Sequence, residues 1–600
     1  MLFGICLILT FFLGSLLFAL VTLHIPNIST VAHYQPAQAT LIYDRHGQII
    51  DRIFTENRTV IPLSAMPDLL PKAFIAAEDN RFFEHPGLDF FSVMRAAIVN
   101  LRRGERGQGG STITQQVARS LLLTPEKTYV RKFKEAILAW RIDTLLSKEE
   151  ILYIYLNQIY LGSGAHGVEA ASRAYFKKRA SELSLAEMAV LAGLPQAPSN
   201  YSPLAYPKRA VARQMYVLNR MAAAGYISAD QAREAYLSKI TYRNATAADH
   251  LDENGYYFEV VRKAVQGRLG IPMETAGVRI YTPFDTEMQH RAVLAVRAGV
   301  QETSERIAKK GKAKIPQMPQ AALVSIEIST SKVRALVGGT DYLKYSFDRV
   351  TQAKRQAGSS FKPLVYATAL GMGWEPESYL SDAPFSITGR NGARWQPKNY
   401  GGKYHGEVTL AEALANSYNM VAVRLLQHVG AKNVHALARS VGITSYLPPD
   451  LSLALGSADV TLLELTSAYM PFTRQGRYSP PSFIERIELP DGTVLPGDGA
   501  EERQVMEMPV ADKMRQMLEG VVREGTGRRV AVLAGSIGGK TGTSNENRDT
   551  WFIGFNEKLL TGVWVGFDDN QSLGGEETGG RTAAPIWLAF IQALQNSPAN

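Results

Sequence analysis

The 600-residue chain has a single cysteine, Cys6. An intrachain disulfide is therefore excluded, and the count argues against a thiolate metal site. His85, His166 and His405 are scattered, with no metal-ligand spacing and no visible pairing of the kind a conventional serine protease needs, so each reads as structural or surface. There is no internal repeat, no low-complexity tract and no zinc-finger, homeodomain or RNA-binding signature, which argues against nucleic acid as a partner despite a formal charge of +9.

Charge is also missing from residues 2–23. As a helix these 22 residues would reach about 33 Å, enough for a hydrocarbon core of about 30 Å. A cleavable signal would show a charged start and a shorter apolar stretch. Residues 1–24 are therefore expected to form a transmembrane anchor. No second run of this length follows, so everything after it should lie on one side of the membrane.

What is present points to large folded units. The hydrophobic share of 46% supports sizeable cores, and the length suggests three or four structural units. The basic excess is local: residues 71–180 hold 17 Lys/Arg against 11 Asp/Glu. Such a surface suits anionic lipid or a phosphorylated substrate. Residues 40–43 and 49–54 flank Asp44-Arg45-His46-Gly47, which predicts a hairpin. From Pro71 to about Tyr236 helical patterns dominate, with helices expected over 128–146, 148–161 and 184–194 and an N-cap at Ser147. Residues 240–320 are mixed, with a flexible surface stretch expected near 309–314. Beyond Ala321 strands and helices alternate: 322–328 pairs with 332–337, a long helix starts near Ser359, and 550–554 pairs with 560–565.

Two constellations carry chemistry. The first contains Glu78-Asp79-Asn80-Arg81-Phe82-Phe83-Glu84-His85-Pro86-Gly87, then Gly109-Gly110-Ser111-Thr112-Ile113-Thr114-Gln115-Gln116, then Arg131-Lys132-Phe133-Lys134-Glu135. Paired glycines before hydroxyl residues can expose backbone N–H groups to an anion. Arg131 and Glu135 share a helix face, and two carboxylates can divide acid and base work at a glycosidic centre. The second contains Ser359-Ser360-Phe361-Lys362, Ser417-Tyr418-Asn419 and Lys540-Thr541-Gly542-Thr543. A Lys one turn from a Ser can take its proton if burial and a neighbouring cation lower its pKa. A Lys-Thr-Gly edge strand can bind an extended peptide, with Gly542 permitting close approach. Backbone N–H groups of Ser359 and Thr543 can form an oxyanion hole.

The first constellation, continued by Lys148–Asn157 and Arg173-Ala174-Tyr175-Phe176-Lys177, resembles the glycosyltransferase domain of class A (bifunctional) penicillin-binding proteins. The second resembles their transpeptidase domain. Its middle triplet carries Tyr418 where class A β-lactamases have Asp. The resemblance implies a multidomain chain: anchor 1–24, extended linker or hairpin 25–60, a mainly α, lysozyme-like glycosyltransferase domain 61–236, a small mixed linker region 237–320, and an α/β, serine β-lactamase-like transpeptidase domain with an antiparallel sheet over 321–595. It implies lipid II, the nascent glycan strand, stem peptides and β-lactams as ligands, with activator or wall-assembly proteins as partners. It implies an inner-membrane, single-pass protein with its catalytic domains on the periplasmic side.

Carried over residue by residue, Glu78 would be the general base and Glu135 would assist pyrophosphate departure. Gln115, Gln116, Arg119, Lys127, Arg131 and Lys132 would bind substrate. Ser359 would be the nucleophile and Lys362 its base. Ser417 and Lys540 would relay the proton, Asn419 would hold the substrate amide, and Lys540, Thr541, Gly542 and Thr543 would bind the peptide end. Residues 90–99 would dip into membrane lipid, with Arg102, Arg103 and Arg106 facing headgroups. No cofactor is required, although some relatives use a divalent metal (Mg or Mn) at the pyrophosphate. An idle relative would have lost a nucleophile or a glutamate. Ser359, Glu78 and Glu135 are all present.

Overall fold

The computed structural model describes residues 39–53, 57–91, 111–122, 129–242, 248–310, 318–388 and 394–596. The expected anchor, residues 92–110 and Lys127 lie outside the described residues. Among the described residues no helix is long and apolar enough to cross a membrane. The chain divides into two compact units: one chiefly of residues 52–245 and 271–277, the other of 41–51, 246–270 and 278–600.

The first unit is helical: α1 (Leu69–Glu78), α2 (Ile113–Leu122), α3 (Tyr129–Leu145), α4 (Lys148–Gln158), α5 (Val168–Phe176), α6 (Leu185–Gly193), α7 (Pro207–Ala223) and α8 (Ala229–Leu237). Local signals set several starts. Ser147 with Glu150, Ser184 with Glu187 and Ser228 with Gln231 each close a reciprocal capping box, satisfying helix-end donors that would otherwise be orphaned. One core gathers Phe74, Leu138, Ile151, Tyr155, Leu191 and Val217. It holds the C-terminal end of α1 against α6 and α7, and that end carries Glu78.

The second unit has a five-stranded antiparallel sheet. Its strands are β1 (Gln320–Glu327), β2 (Val333–Val337), β3 (Gly538–Thr543), β4 (Asp549–Phe555) and β5 (Leu559–Gly566), in the order β3-β4-β5-β1-β2. The segment 240–320 is mixed, as expected: the long helices α9 (Ala248–Leu269) and α10 (Thr286–Lys310) flank a strand, Arg279–Tyr281; Lys309 and Lys310 end α10, and residues 311–314 lie outside the described residues. Helix α10 packs with α14 (Ala583–Gln595), where Trp587, Phe590 and Ile591 share a core with Val296, Phe552 and Val563. Burial of each such side chain contributes about 1.5–3 kcal/mol. Three further helices build the lobe beside β3: α11 (Lys362–Gly371), α12 (Leu410–Asn416) and α13 (Asn419–Val429). The expected long helix near Ser359 is instead a 3₁₀ turn, Gly358–Phe361, followed by the ten-residue α11.

The N-terminal strands, Thr40–Tyr43 and Ile49–Ile53, lie side by side as expected, with Asp44 Oδ1 accepting from the N–H groups of His46 and Gln48 in the turn. They also join a second five-stranded sheet, in which Leu41–Tyr43 run parallel to Arg279–Tyr281.

Candidate active sites

In the helical unit, Glu78 ends α1 with its side chain only 11% exposed. Gln116 Nε2, on α2, donates to Glu78 Oε2 at 2.9 Å. Arg213 Nη2, on α7, lies 3.5 Å from Glu78 Oε1. Burial pushes the Glu78 carboxyl above the usual range; the Gln116 hydrogen bond and the charges of Arg213 and Arg119 oppose that rise without cancelling it. The result is an ionisable carboxylate of increased basicity, suited to general-base work near neutral pH.

Asp79, its neighbour, faces the other way. Its carboxylate takes His85 Nε2 at 3.0 Å and the Ile113 N–H at 3.0 Å. It thereby anchors the start of α2, which carries Gln116. Gln115 is engaged locally: its Oε1 accepts from the Thr112 N–H at 3.0 Å. Glu135 is fully buried on α3, paired with Arg131 at 3.1 Å and Lys132 at 2.6 Å. Lys132 also donates to Ser111 Oγ at 2.7 Å. Arg119 is partly buried in the last turn of α2. Several motif residues serve the scaffold. Lys148 Nζ donates to His85 O at 2.7 Å and to Asp143 Oδ2 at 2.6 Å. Asn157 exchanges hydrogen bonds with the backbone of Ile61, and Arg173 is paired with Glu169. Among the described residues no group of three or more His, Cys, Asp or Glu side chains is arranged to hold a metal ion.

In the sheet-containing unit, Ser359 lies in the 3₁₀ turn, one turn before Lys362. Side chains three apart nearly eclipse in such a turn, which aligns the two residues. Lys362 is fully buried. Its Nζ donates to Ser417 O and Asn419 Oδ1, each at 2.7 Å, with Ser417 Oγ at 3.3 Å. Lys540 Nζ donates to the same Ser417 Oγ at 3.0 Å. Ser417 thus stands between two amines. It sits at φ 62°, ψ 39° as the C-cap of α12, and this left-handed turn aims its hydroxyl at both. Burial holds the Lys362 ammonium well below its usual range, and the nearby Lys540 charge adds to the effect. Burial likewise pushes Lys540 down to about 7.

Strand β3 forms the sheet edge. Ser544 N donates to Asp549 O, so by antiparallel alternation the Thr543 N–H points away from the sheet. Gly358 and Gly542 permit close approach here. A Cβ on Gly358, at φ +56°, would meet Thr543 O at 2.5 Å; one on Gly542 would meet Ala357 O at 2.7 Å. Thr541 Oγ1 lies 2.7 Å from Thr526 Oγ1, and Thr543 Oγ1 accepts from the Gly579 N–H at 3.1 Å.

The structure thus gathers Glu78 with Gln116, Arg131 and Lys132 with Glu135, and Lys362, Ser417, Asn419 and Lys540 with one another. Arg213 escaped the sequence reading: it lies 135 residues from Glu78 on a helix without a motif, and its one signal is a cation beside the buried stripe of Ala210, Gln214 and Val217. The histidines also gain partners that their scatter concealed. His85 pairs with Asp79 and His405 with Asp382, while His166 packs on the Tyr160 ring.

Comparisons with known proteins follow the same division. The transglycosylase family model matches residues 46–222, and the penicillin-binding protein transpeptidase domain model matches 321–592. Penicillin-binding protein 1A of Aquifex aeolicus is 36% identical, covering 98% of this chain and 90% of the relative. That of Neisseria lactamica is 34% identical, covering 99% and 87%. The crystal structure of penicillin-binding protein 1A from Haemophilus influenzae superposes with a TM-score of 0.66 at 25% identity, covering 94% of this chain and 93% of that one. A helical transglycosylase unit and a sheet-containing transpeptidase unit in one chain place it in the penicillin-binding protein 1A family, the bifunctional peptidoglycan synthases that β-lactams target.

Proposed function

We propose that Glu78 removes the proton from the acceptor sugar 4-hydroxyl of lipid II. The freed oxygen attacks the anomeric carbon of the growing strand, the configuration inverts from α to β, and lipid pyrophosphate departs. Arg131 and Lys132, fixed by buried Glu135, neutralise the leaving charge, with Lys127 and Arg119 assisting. Glu135 acts through those cations.

In the second site Ser359 attacks the penultimate D-alanine carbonyl of a stem peptide, and Lys362 takes its proton. The tetrahedral oxyanion rests on the N–H groups of Ser359 and Thr543. Ser417 passes a proton from Lys540 to the departing D-alanine. An amine of a neighbouring stem then resolves the acyl-serine to a cross-link, and a β-lactam acylates the same serine. Asn419 holds the substrate amide, and Lys540, Thr541 and Thr543 hold the peptide carboxylate. The observation that carries this reading is the buried Lys362–Ser417–Lys540 arrangement. Two amines flank one hydroxyl, and one of them has lost most of its tendency to stay charged.

The apolar run 2–23 is read as a single-pass anchor in the inner membrane, with residues 61–236 and 321–595 as the periplasmic catalytic domains, lysozyme-like and β-lactamase-like in turn. Anchoring raises the effective concentration of a lipid-borne substrate. The test uses purified full-length protein with lipid II, with and without penicillin. Glycan polymer should form in both cases and cross-links only without the drug. No polymer under either condition would refute the first assignment, and drug-insensitive cross-links the second.

A further inference from the structure

Three residues outside every motif hold the Ser417-Tyr418-Asn419 turn from behind. Asp382 is fully buried, and burying a carboxylate is costly unless donors surround it. Asn399 Nδ2 donates to Asp382 Oδ1 at 2.8 Å and Oδ2 at 2.7 Å. The backbone N–H of His405 donates to Oδ2 at 3.1 Å, and His405 Nδ1 lies 2.8 Å from the same oxygen. Among the described residues its ion-pair partner is His405 alone.

Both donors pass this restraint to the turn. The Asn399 amide cannot flip without placing its NH₂ against other donors, so Oδ1 stays at the start of α13. There it accepts from the Asn419 N–H at 2.7 Å and the Met420 N–H at 3.3 Å. The His405 ring lies on the Tyr418 ring, with centroids 4.2 Å apart and planes 13° from parallel. Asn419 in turn offers Oδ1 to Lys362 Nζ at 2.7 Å. A neutral amine has two hydrogens. Its two shortest contacts, Ser417 O and Asn419 Oδ1, take both, with Ser417 Oγ and Tyr418 O farther off at 3.3 and 3.4 Å, and the lone pair is left for the Ser359 hydroxyl.

We infer that Asp382 is a positioning residue for acylation: through Asn399 and His405 it fixes the Ser-Tyr-Asn turn, and with it the acceptor that orients Lys362. The inference rests on Ser359 and Lys362 acting as proposed. It separates Asp382 from an ordinary buried carboxylate, because its effect should fall on the acylation step and should depend on hydrogen-bond polarity.

The test is fluorescent penicillin labelling of the full-length protein, resolved into initial affinity and the acylation rate constant. In Asp382→Asn the new amide opposes its NH₂ to a donor on one side. The acylation constant should fall about 10–100-fold, the range expected of a misplaced catalytic group, while initial affinity stays nearly constant. Exchanging the pair, Asp382→Asn with Asn399→Asp, lets the amide now at position 382 donate to the carboxylate now at position 399, whose other oxygen still caps α13; the bond from Asn399 Nδ2 to Lys403 O at 2.9 Å is lost, so part of the rate should return. Polymerisation of lipid II by the same samples checks folding. If Asp382→Asn does not fold, His405→Phe, which keeps the stack on Tyr418 and removes one donor, should lower the acylation constant in the same way. Wild-type acylation in the variant that is read would overturn the inference. So would a loss that the exchanged pair leaves in place. Ser359→Ala is the control for the underlying assignment: persistent labelling there would condemn the nucleophile, not the positioning.

Discussion

Replacing Arg213 should move the pH dependence of glycan polymerisation. Arg213 and Glu78 are 12% and 11% exposed, with Nη2 and Oε1 3.5 Å apart. With the charge centres about 5 Å apart and an effective dielectric of about 20, such a pair attracts by roughly 3 kcal/mol, and one pKa unit corresponds to about 1.4 kcal/mol. Water entering beside a substituted side chain and the remaining Arg119 charge reduce the effect, so the Glu78 pKa should rise by less than the full attraction implies. Arg213→Met keeps an unbranched aliphatic stem and removes the charge, together with the guanidinium's contacts with the Tyr201 and Tyr216 rings. A general base works only when ionised, so a raised pKa shifts the acid limb of kcat/KM to higher pH. The assay is continuous polymerisation of labelled lipid II across pH 5–9. The limb should move to higher pH while the high-pH plateau is largely retained. Arg213→Lys, which keeps the charge but loses the hydrogen bond from Nε to Gly193 O, should leave the limb near its original place. A limb that stays put while the plateau collapses would assign Arg213 to substrate binding. A limb that moves to lower pH would refute the electrostatic argument.

Three further outcomes follow from the same geometry. Glu78→Gln should abolish polymerisation and leave penicillin labelling of Ser359 intact, and Ser359→Ala should do the reverse; loss of both activities in either folded variant would contradict independent sites. Gly542→Ala should slow labelling at least tenfold and cost about 1–3 kcal/mol of stability, because its Cβ would stand 2.7 Å from both Ala357 O and Ser360 Oγ; unchanged labelling and unfolding temperature would show that β3 yields freely. Lys540 is pushed down to about 7 when folded but ionises near 10.4 when unfolded, so the unfolded chain holds more protons between those values and stability should rise with pH across that window. Lys540→Met should unfold several degrees higher than the parent at pH 7, with the gap closing towards pH 10; a constant gap would remove burial as the cause.

The sequence made the second site legible because its chemistry is local. Ser359 and Lys362 lie one turn apart, and Ser417, Asn419 and Lys540 each sit in a short string of small or polar residues. Strands that alternate or run continuously apolar, such as Asp549–Phe555 and Leu559–Gly566, were visible for the same reason. What stayed hidden depends on long-range approach. Arg213 reaches Glu78 only after α7 packs on α1, and Asp382 and Asn399 become meaningful only beside Asn419. The parallel pairing of Leu41–Tyr43 with Arg279–Tyr281 joins segments with no shared local signal. Motif membership also hid a division of labour. Asp79, Lys148 and Asn157 belong to the same motif strings, yet their side chains bind the scaffold, while Gln116 alone of its glutamine pair reaches Glu78.

The two sites share one physical device with opposite signs. Burial disfavours charge whatever its sign. For Glu78 this raises the pKa, so the carboxylate that does ionise is a stronger base. For Lys362 the same effect lowers the pKa, so the amine keeps a free lone pair at a pH where an exposed lysine would be protonated. Each site then adds a partner of chosen charge: cationic Arg213 keeps Glu78 ionisable, and cationic Lys540 discourages a proton on Lys362. Removing a cation therefore raises proton affinity in both. Without Arg213 the base of the first site becomes harder to ionise. Without Lys540 the base of the second becomes easier to protonate. In both cases the acid limb of the reaction should move to higher pH, because a lost cation raises the proton affinity of whatever it faced. A common direction in two sites built on a carboxylate and on an amine is what a charge–charge origin requires; hydrogen-bond loss alone gives no reason for the two limbs to move together.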